Sequence, residues 1–200
     1  EDSFAAAIGN NTSSYGATGP HAVALGDRAK ATQYGTFAVG LLTQATGDRS
    51  TAIGVQTQAT ASYAVAIGYS TYANGQNSVS LGGLNYAQQY GSTAIGMYAR
   101  SEQKHKIAFA GGGFNAAAGS AQQGLFILRS DTTDATAEAL TTNGSTASTD
   151  NQVVLPYNSA FGFTGTIIAR EDPAQTNDFA VWEVKGGAVR AVSAATTALG

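Results

Sequence analysis

Side chains able to do acid, base or nucleophilic chemistry are few in this sequence and badly spaced for it. Hydrolysis of a glycosidic bond needs two carboxyl groups facing one cleft. The core of the repeat described below offers only Asp27 and Asp48, which fall on different turns and different coils. Asp131 with Asp134 and Glu171 with Asp172 are acidic pairs in segments that read as solvated turns. His21 and His105 are isolated, the latter between Lys104 and Lys106, and nothing marks a nucleophile–His–Asp triad. The 200 residues contain no cysteine, which excludes thiol catalysis, thiolate metal sites and disulfides. No His or acidic cluster has metal-ligand spacing. Gly111-Gly112-Gly113 lacks the lysine and the strand-to-helix setting of a phosphate loop and reads as a flexible junction. Asn10-Asn11-Thr12 and Asn143-Gly144-Ser145 match a glycosylation pattern and read as turns. The sequence therefore predicts no catalytic residue, no metal and no cofactor, and a protein that is not an enzyme.

Neutral binding chemistry is better represented. Residues 55–99 carry no charged side chain, and charged residues make up only 12% of the chain, with a net charge of −3. Tyr72 and Tyr86 recur at one place in a repeat, in a column that runs Lys30, Gln44, Gln58, Tyr72, Tyr86, Arg100. A second column runs Tyr34, Asp48, Ser62, Gln76, Tyr90. Aromatic surfaces and side-chain amides suit neutral sugars, which offer apolar ring faces and hydroxyls. Tyr72 and Tyr86 are accordingly the predicted ligand-binding residues. Absence of a basic surplus argues against nucleic acid, and no apolar run approaches the length of a membrane helix.

The elements that hold these columns follow from a repeat. The phrases AAAIG, AVALG, TFAVG, STAIG, AVAIG, SVSLG and STAIG close on Gly9, Gly26, Gly40, Gly54, Gly68, Gly82 and Gly96, with five successive spacings of 14. Counting each repeat 1 to 14 and ending on that glycine, position 5 is Ala31, Ala45, Ala59, Ala73, Ala87. Position 12 is Ala38, Ala52, Ala66, Ser80, Ala94, and position 13 is Val39, Ile53, Ile67, Leu81, Ile95. Positions 11 and 13 are large or β-branched while 10 and 12 are small, an alternation of period two that marks a strand with two unlike faces. The closing glycine suits a turn with positive φ. Fourteen residues hold two short strands and two turns, so each repeat predicts one coil of a narrow parallel β-solenoid. The expected interior is the pair of larger columns, 11 and 13. The Ala and Ser columns at 5 and 12 are expected to let the backbone of another chain approach closely, because so thin a coil buries too little to stand alone; the alternative is that they simply fit a cramped interior. Residues 97–110 are a decayed copy, with Ala110 in place of the glycine.

These phrases at this spacing resemble the head repeats of trimeric autotransporter adhesins. The resemblance implies a left-handed parallel β-roll with three chains to a head. Asn77-Ser78-Val79-Ser80-Leu81-Gly82 is close to the family phrase associated with matrix binding, with Ser80 and Leu81 in place of Ala and Ile.

Beyond Gly113 the period ends. Gly124–Arg129, Gln152–Leu155, Phe161–Arg170 and Phe179–Lys185 read as strands separated by turn residues, with Asn143-Gly144 and Asn177-Asp178 as turn signals. The organisation expected is an all-β chain. Residues 1–110 form a parallel β-roll of 14-residue coils, 111–124 a Gly/Ala-rich junction, and 125–200 a small antiparallel β domain that continues past residue 200. The phrases LFILRSDTTDAT (125–136), QVVLPYNSAFGFTGTIIAR (152–170), DFAVWEVKGG (178–187) and SAATTALG (193–200) resemble a domain recurring in tail fibres and other appendages of tailed bacteriophages. That resemblance implies a homotrimeric fibre segment on a virion. It would be joined to other fibre or tail proteins and would attach to a host-surface glycan or protein without inserting in the membrane. The alternative is the head of a bacterial adhesin on the outer cell surface, and a third reading is a polysaccharide-depolymerising tailspike.

Overall fold

Each 14-residue repeat folds as one coil, with a five-residue strand on one side and a two-residue strand on the other. The computed structural model describes residues 4–6, 14–134, 136–156, 158–170, 179–191 and 198–199. The longer strands are β1 (Phe4–Ala6), β3 (Val23–Leu25), β5 (Phe37–Leu41), β7 (Thr51–Val55), β9 (Val65–Tyr69), β11 (Val79–Gly83), β13 (Thr93–Met97) and β15 (Ile107–Gly111). The short ones are β2 (Gly16–Ala17), β4 (Lys30–Ala31), β6 (Gln44–Ala45), β8 (Gln58–Ala59), β10 (Tyr72–Ala73), β12 (Tyr86–Ala87) and β14 (Arg100–Ser101). The long strands stack in parallel in chain order, as do the short ones, and equivalent residues pair one repeat apart: Ala52 with Ala66, Ile53 with Ile67, Tyr72 with Tyr86. The chain is an all-β parallel solenoid, as the repeat predicts.

The faces of the long strands are the reverse of the expected ones. Ala38, Ala52, Ala66, Ser80, Ala94 and Ala108 at position 12 are fully buried, as are Ala31, Ala45, Ala59, Ala73 and Ala87 at position 5. Thr43, Thr57, Thr71 and Asn85 at position 3, and Ser50, Ala64, Ser78 and Ser92 at position 10, complete the interior. The larger residues at 11 and 13 point outward with position 1: Phe37, Leu41, Val55, Ile67, Tyr69, Met97 and Phe109 are all exposed. Two sheets joined by two tight turns stand too close for branched side chains between them, so the small residues go inside. The Ala and Ser columns therefore fill the roll's own lumen rather than admitting a neighbouring backbone.

The closing glycine is also placed differently. It lies inside the long strand, or just past it for Gly26, with φ between +103° and +132° for Gly26, Gly40, Gly54, Gly68, Gly82 and Gly96. A Cβ there would overlap the carbonyl oxygen of the equivalent residue one coil on, a glycine for the first five and Ala110 for Gly96. Close approach as well as positive φ thus demands glycine. Both turns take left-handed conformations mostly without it: Leu42, Gln56, Leu84 and Tyr98 at position 2, and Arg49, Tyr63, Asn77 and His105 at position 9. Ladder bonds hold them, such as the Gln56 N–H to the Leu41 carbonyl and the Tyr63 N–H to the Asp48 carbonyl, both 2.8 Å.

After β15 the chain folds back, and β16 (Gln123–Leu125) pairs antiparallel with it. The expected strand over Gly124–Arg129 ends at Leu125; further on, Arg129 makes only an isolated bridge to Thr141. Gln152–Leu155 forms no strand despite its apolar content, because no partner strand meets it. Contacts divide the chain into two compact units, Glu1–Val153 and Val154–Gly200. The second unit is an antiparallel hairpin of β17 (Ser159–Arg170) and β18 (Phe179–Arg190), with the short β19 (Ala198–Leu199) beside β18.

Candidate functional site

The repeat turns single residues into ladders, since each side chain sits about 4.8 Å from its equivalent one coil away. Tyr72 and Tyr86 adjoin in the short-strand sheet, their rings stacked at 4.8 Å and only 7° from parallel. Arg100 continues the column, its guanidinium 5.9 Å from the Tyr86 ring centre. Arg100 is in turn paired to Glu102 at 2.6 Å. Both tyrosines are half-buried. Each presents one ring face to the other, which leaves edges and hydroxyls outward. A sugar would therefore meet ring edges and phenol groups rather than the shared stacking face.

A second ladder runs along the corner at positions 8 and 9. His21 meets Tyr34 edge-on at 5.1 Å. The Arg49 guanidinium lies 4.8 Å from the Tyr34 ring centre and 5.7 Å from that of Tyr63. It donates to the Tyr63 hydroxyl at 3.2 Å and pairs with Asp48. Two coils along, Tyr90 meets His105 edge-on at 5.3 Å. Tyr34, Tyr63 and Tyr90 are exposed. Reading positions one at a time misses this corner, because its members alternate between two adjacent positions. The signal was present as His or Tyr at position 8 or 9 in five coils, at His21, Tyr34, Tyr63, Tyr90 and His105. Asp27 and Asp48 each face the arginine next in sequence, Arg28 and Arg49, rather than one another.

The far end of the roll is closed by side chains that imitate another coil. Gln122 accepts from the Arg100 N–H at 2.8 Å and donates to the Arg100 carbonyl at 2.9 Å, as a further strand would. Asp150 binds the Lys104 ammonium at 2.7 Å, and its carbonyl accepts from the Lys104 N–H. The hydrogen bond from Lys104, then that from Ser148, holds the Asp150 carboxyl down to about 2. Lys106 stands where other coils carry Thr, Ser or Ala. Burial pushes its pKa down, Glu102 opposes this, and its ammonium lies 5.7 Å from the Phe126 ring centre. Inside the roll Asn85 replaces the threonine of earlier coils. Its amide donates to the Leu81 and Gly96 carbonyls at 2.7 and 2.8 Å, and its oxygen accepts from the Ala99 N–H at 2.7 Å.

Asp131 and Asp134 are exposed, and hydrogen bonds from Thr136 lower the Asp134 carboxyl. Asn143 forms the expected turn, its side-chain oxygen accepting from the Ser145 N–H at 3.2 Å. Asn10-Asn11-Thr12, Glu171-Asp172 and Asn177-Asp178 lie outside the described residues. Among the described residues no three His, Asp or Glu side chains gather to hold a metal, and no helix is long and apolar enough to cross a membrane.

Residues 17–42, 45–71 and 73–99 match the YadA head domain repeat. No curated protein and no solved structure matches the chain.

Proposed function

We propose that the chain is a non-catalytic segment of a homotrimeric, surface-exposed attachment appendage, with its head-type repeats serving as an adhesive rod. The observation that carries this reading is the outward apolar column. On a single roll, Phe37, Leu41, Val55, Ile67, Tyr69, Met97 and Phe109 are exposed on the long-strand side, a concentration of apolar residues that marks an interaction surface. Covering it with equivalent surfaces of two sister chains gives each thin coil the core it lacks. A head of this kind on a bacterial outer surface fits the matched repeats best.

A second reading places the same trimer in the fibre of a tailed phage, joined to other fibre or tail proteins. It is favoured by the phrases at 125–136, 152–170, 178–187 and 193–200, which lie outside the matched repeats. In both settings Tyr72 and Tyr86 are the proposed ligand contacts, through ring edges and hydroxyls. Such contacts are weak singly and gain from repetition, since linked engagements raise avidity by about 10²–10⁴. The test measures binding of the purified chain to immobilised matrix protein and, separately, to bacterial envelope polysaccharide. Matrix binding lost on Tyr72→Ala/Tyr86→Ala supports the adhesin reading; polysaccharide binding lost in the same way supports the phage reading. Binding to neither surface would refute attachment by this segment, and shortening of the polysaccharide would refute the non-catalytic reading.

A further inference from the structure

The aromatic corner of the roll is laid out symmetrically about Tyr63, and only one of its two slots is filled. Tyr34 and Tyr90 stand two coils from Tyr63 on either side, and His21 and His105 stand three coils from it. The two ends match in geometry: His21 meets Tyr34 at 5.1 Å and 71°, and His105 meets Tyr90 at 5.3 Å and 73°. Between Tyr34 and Tyr63 lies the Arg49 guanidinium, 4.8 and 5.7 Å from the two ring centres. It donates to the Tyr63 hydroxyl and pairs with Asp48. Between Tyr63 and Tyr90, Asn77 takes the place of Arg49 and Gln76 that of Asp48. Both amides are exposed, and neither side chain has a hydrogen-bond partner among the described residues. Tyr63 and Tyr90 are 48% and 43% exposed, and two coil heights separate them by about 10 Å along the roll.

We propose that the slot between Tyr63 and Tyr90 receives the guanidinium of an arginine supplied by a partner protein. The filled slot of the same chain is the template. Rings two coils apart are too far from each other to stack, and they leave room for one planar group between them, as Arg49 shows. Arginine alone among the cationic side chains both lies flat against aromatic rings and donates several N–H groups in that plane. The Gln76 and Asn77 side-chain oxygens and the tyrosine hydroxyls are acceptors for those N–H groups. A lysine ammonium is a compact, strongly hydrated point charge and uses the slot less well. Charge admits the guest. Residues 55–99 carry no charged side chain. The nearest cations are already paired, Arg49 with Asp48 and Lys104 with Asp150. Tyr72 and Tyr86 form no such slot, because they lie one coil apart and stack on each other. The inference extends the attachment reading to a second corner of the roll and names the side chain that corner takes.

The test titrates the full chain with a blocked tripeptide, acetyl-Gly-Arg-Gly-amide, and with its lysine counterpart, following each peptide by saturation-transfer NMR. The arginine peptide is expected to bind, and the lysine peptide to bind more weakly. Tyr90→Ala is expected to weaken the arginine peptide about two- to fivefold, the effect of one exposed cation–π contact. Asn77→Arg fills the slot from within. Its backbone suits the change, since Asn77 has a φ of 57° and Arg49 holds 53° at the equivalent position. This variant is expected to abolish binding, whereas Gln56→Arg, which adds the same charge on the opposite turn, is expected to leave it unchanged. Equal binding by the Asn77→Arg and Gln56→Arg proteins, or unaltered binding by Tyr90→Ala, overturns the proposal. So does equal binding of the two peptides, or no binding of the arginine peptide to the unmodified chain. A response to a neutral glucose oligosaccharide that Tyr90→Ala removes, with none to the arginine peptide, also overturns it and makes the slot a sugar site. Failure here leaves the attachment reading standing, because that reading is tested at Tyr72 and Tyr86.

Discussion

Replacing Gly68 with alanine should damage the roll far more than a methyl group's size suggests. Gly68 has a φ of +132°, and a Cβ on it would lie 2.8 Å from the Gly82 carbonyl carbon and overlap the attached oxygen. A non-glycine residue forced into such backbone costs about 1–3 kcal/mol. The neighbour is backbone, locked in the stacked strand β11, so the overlap adds an overpacking cost of about 1–3 kcal/mol. Roughly 4 kcal/mol per chain is a large part of the 5–15 kcal/mol that holds a typical domain. At about 2–4 °C per kcal/mol for a chain of this size, the melting temperature should fall on the order of 10 °C. The control is Gly112→Ala, where no atom lies within 4 Å and φ is not left-handed, so the change should be within about 0.5 kcal/mol. Ala110 is the natural counterpart: alanine takes the glycine's place in the last coil, where no further coil stacks above it. Thermal unfolding followed by far-UV circular dichroism reads the difference. A Gly68→Ala protein that melts with the Gly112→Ala protein would refute the close-approach argument.

Other consequences are tested in the same way. Ala66→Leu puts a branched side chain into the filled lumen and should destabilise by about 1–3 kcal/mol, whereas Ile67→Leu next to it, on the outer face, should cost under about 1.5 kcal/mol. Asn85→Ala leaves the Ala99 N–H and the Leu81 and Gly96 carbonyls without their side-chain partner, and should cost about 2 kcal/mol in chemical denaturation. The Asp150 carboxyl is held at about 2 in the fold against about 3.9 in an unfolded chain. Its contribution is therefore full above about pH 4 and disappears as pH falls toward 2. Melting curves should show the wild type converging on Asp150→Asn over that range and separating from it above.

What the sequence discloses is the period and not the phase. Five equal glycine spacings define the coil, and the alternation at positions 10 to 13 defines a strand, but neither says which face is inside. The rule that large apolar residues go in fails for Ile53 and Ile67 because the gap between the sheets is only wide enough for Ala, Ser and Thr. That width is a property of the closed coil, not of any residue. The left-handed turns at Leu42 and Tyr63 were likewise unreadable, since coil-to-coil hydrogen bonds impose them on residues that do not prefer them. Tyr72 and Tyr86 were legible as a column, but their mutual stacking, which turns edges outward, required the register. The Tyr34–Arg49–Tyr63 corner escaped because its members alternate between two positions. In the second unit, β17 and β18 were visible from their β-branched and aromatic content. The apolar residues at 126–128 and 152–155 gave the same signal without becoming strands, because strand pairing depends on a partner that local composition does not specify.

A stable roll of this kind requires its outward apolar residues to be covered by sister chains. Sedimentation equilibrium of the full chain at micromolar concentration tests this directly. The expected result is a single species of three times the 20.2 kDa chain mass, reduced to smaller, less stable species by Ile67→Lys/Ile95→Lys on the outer face. A folded, β-rich monomer of 20.2 kDa with unchanged melting in that double variant would contradict it.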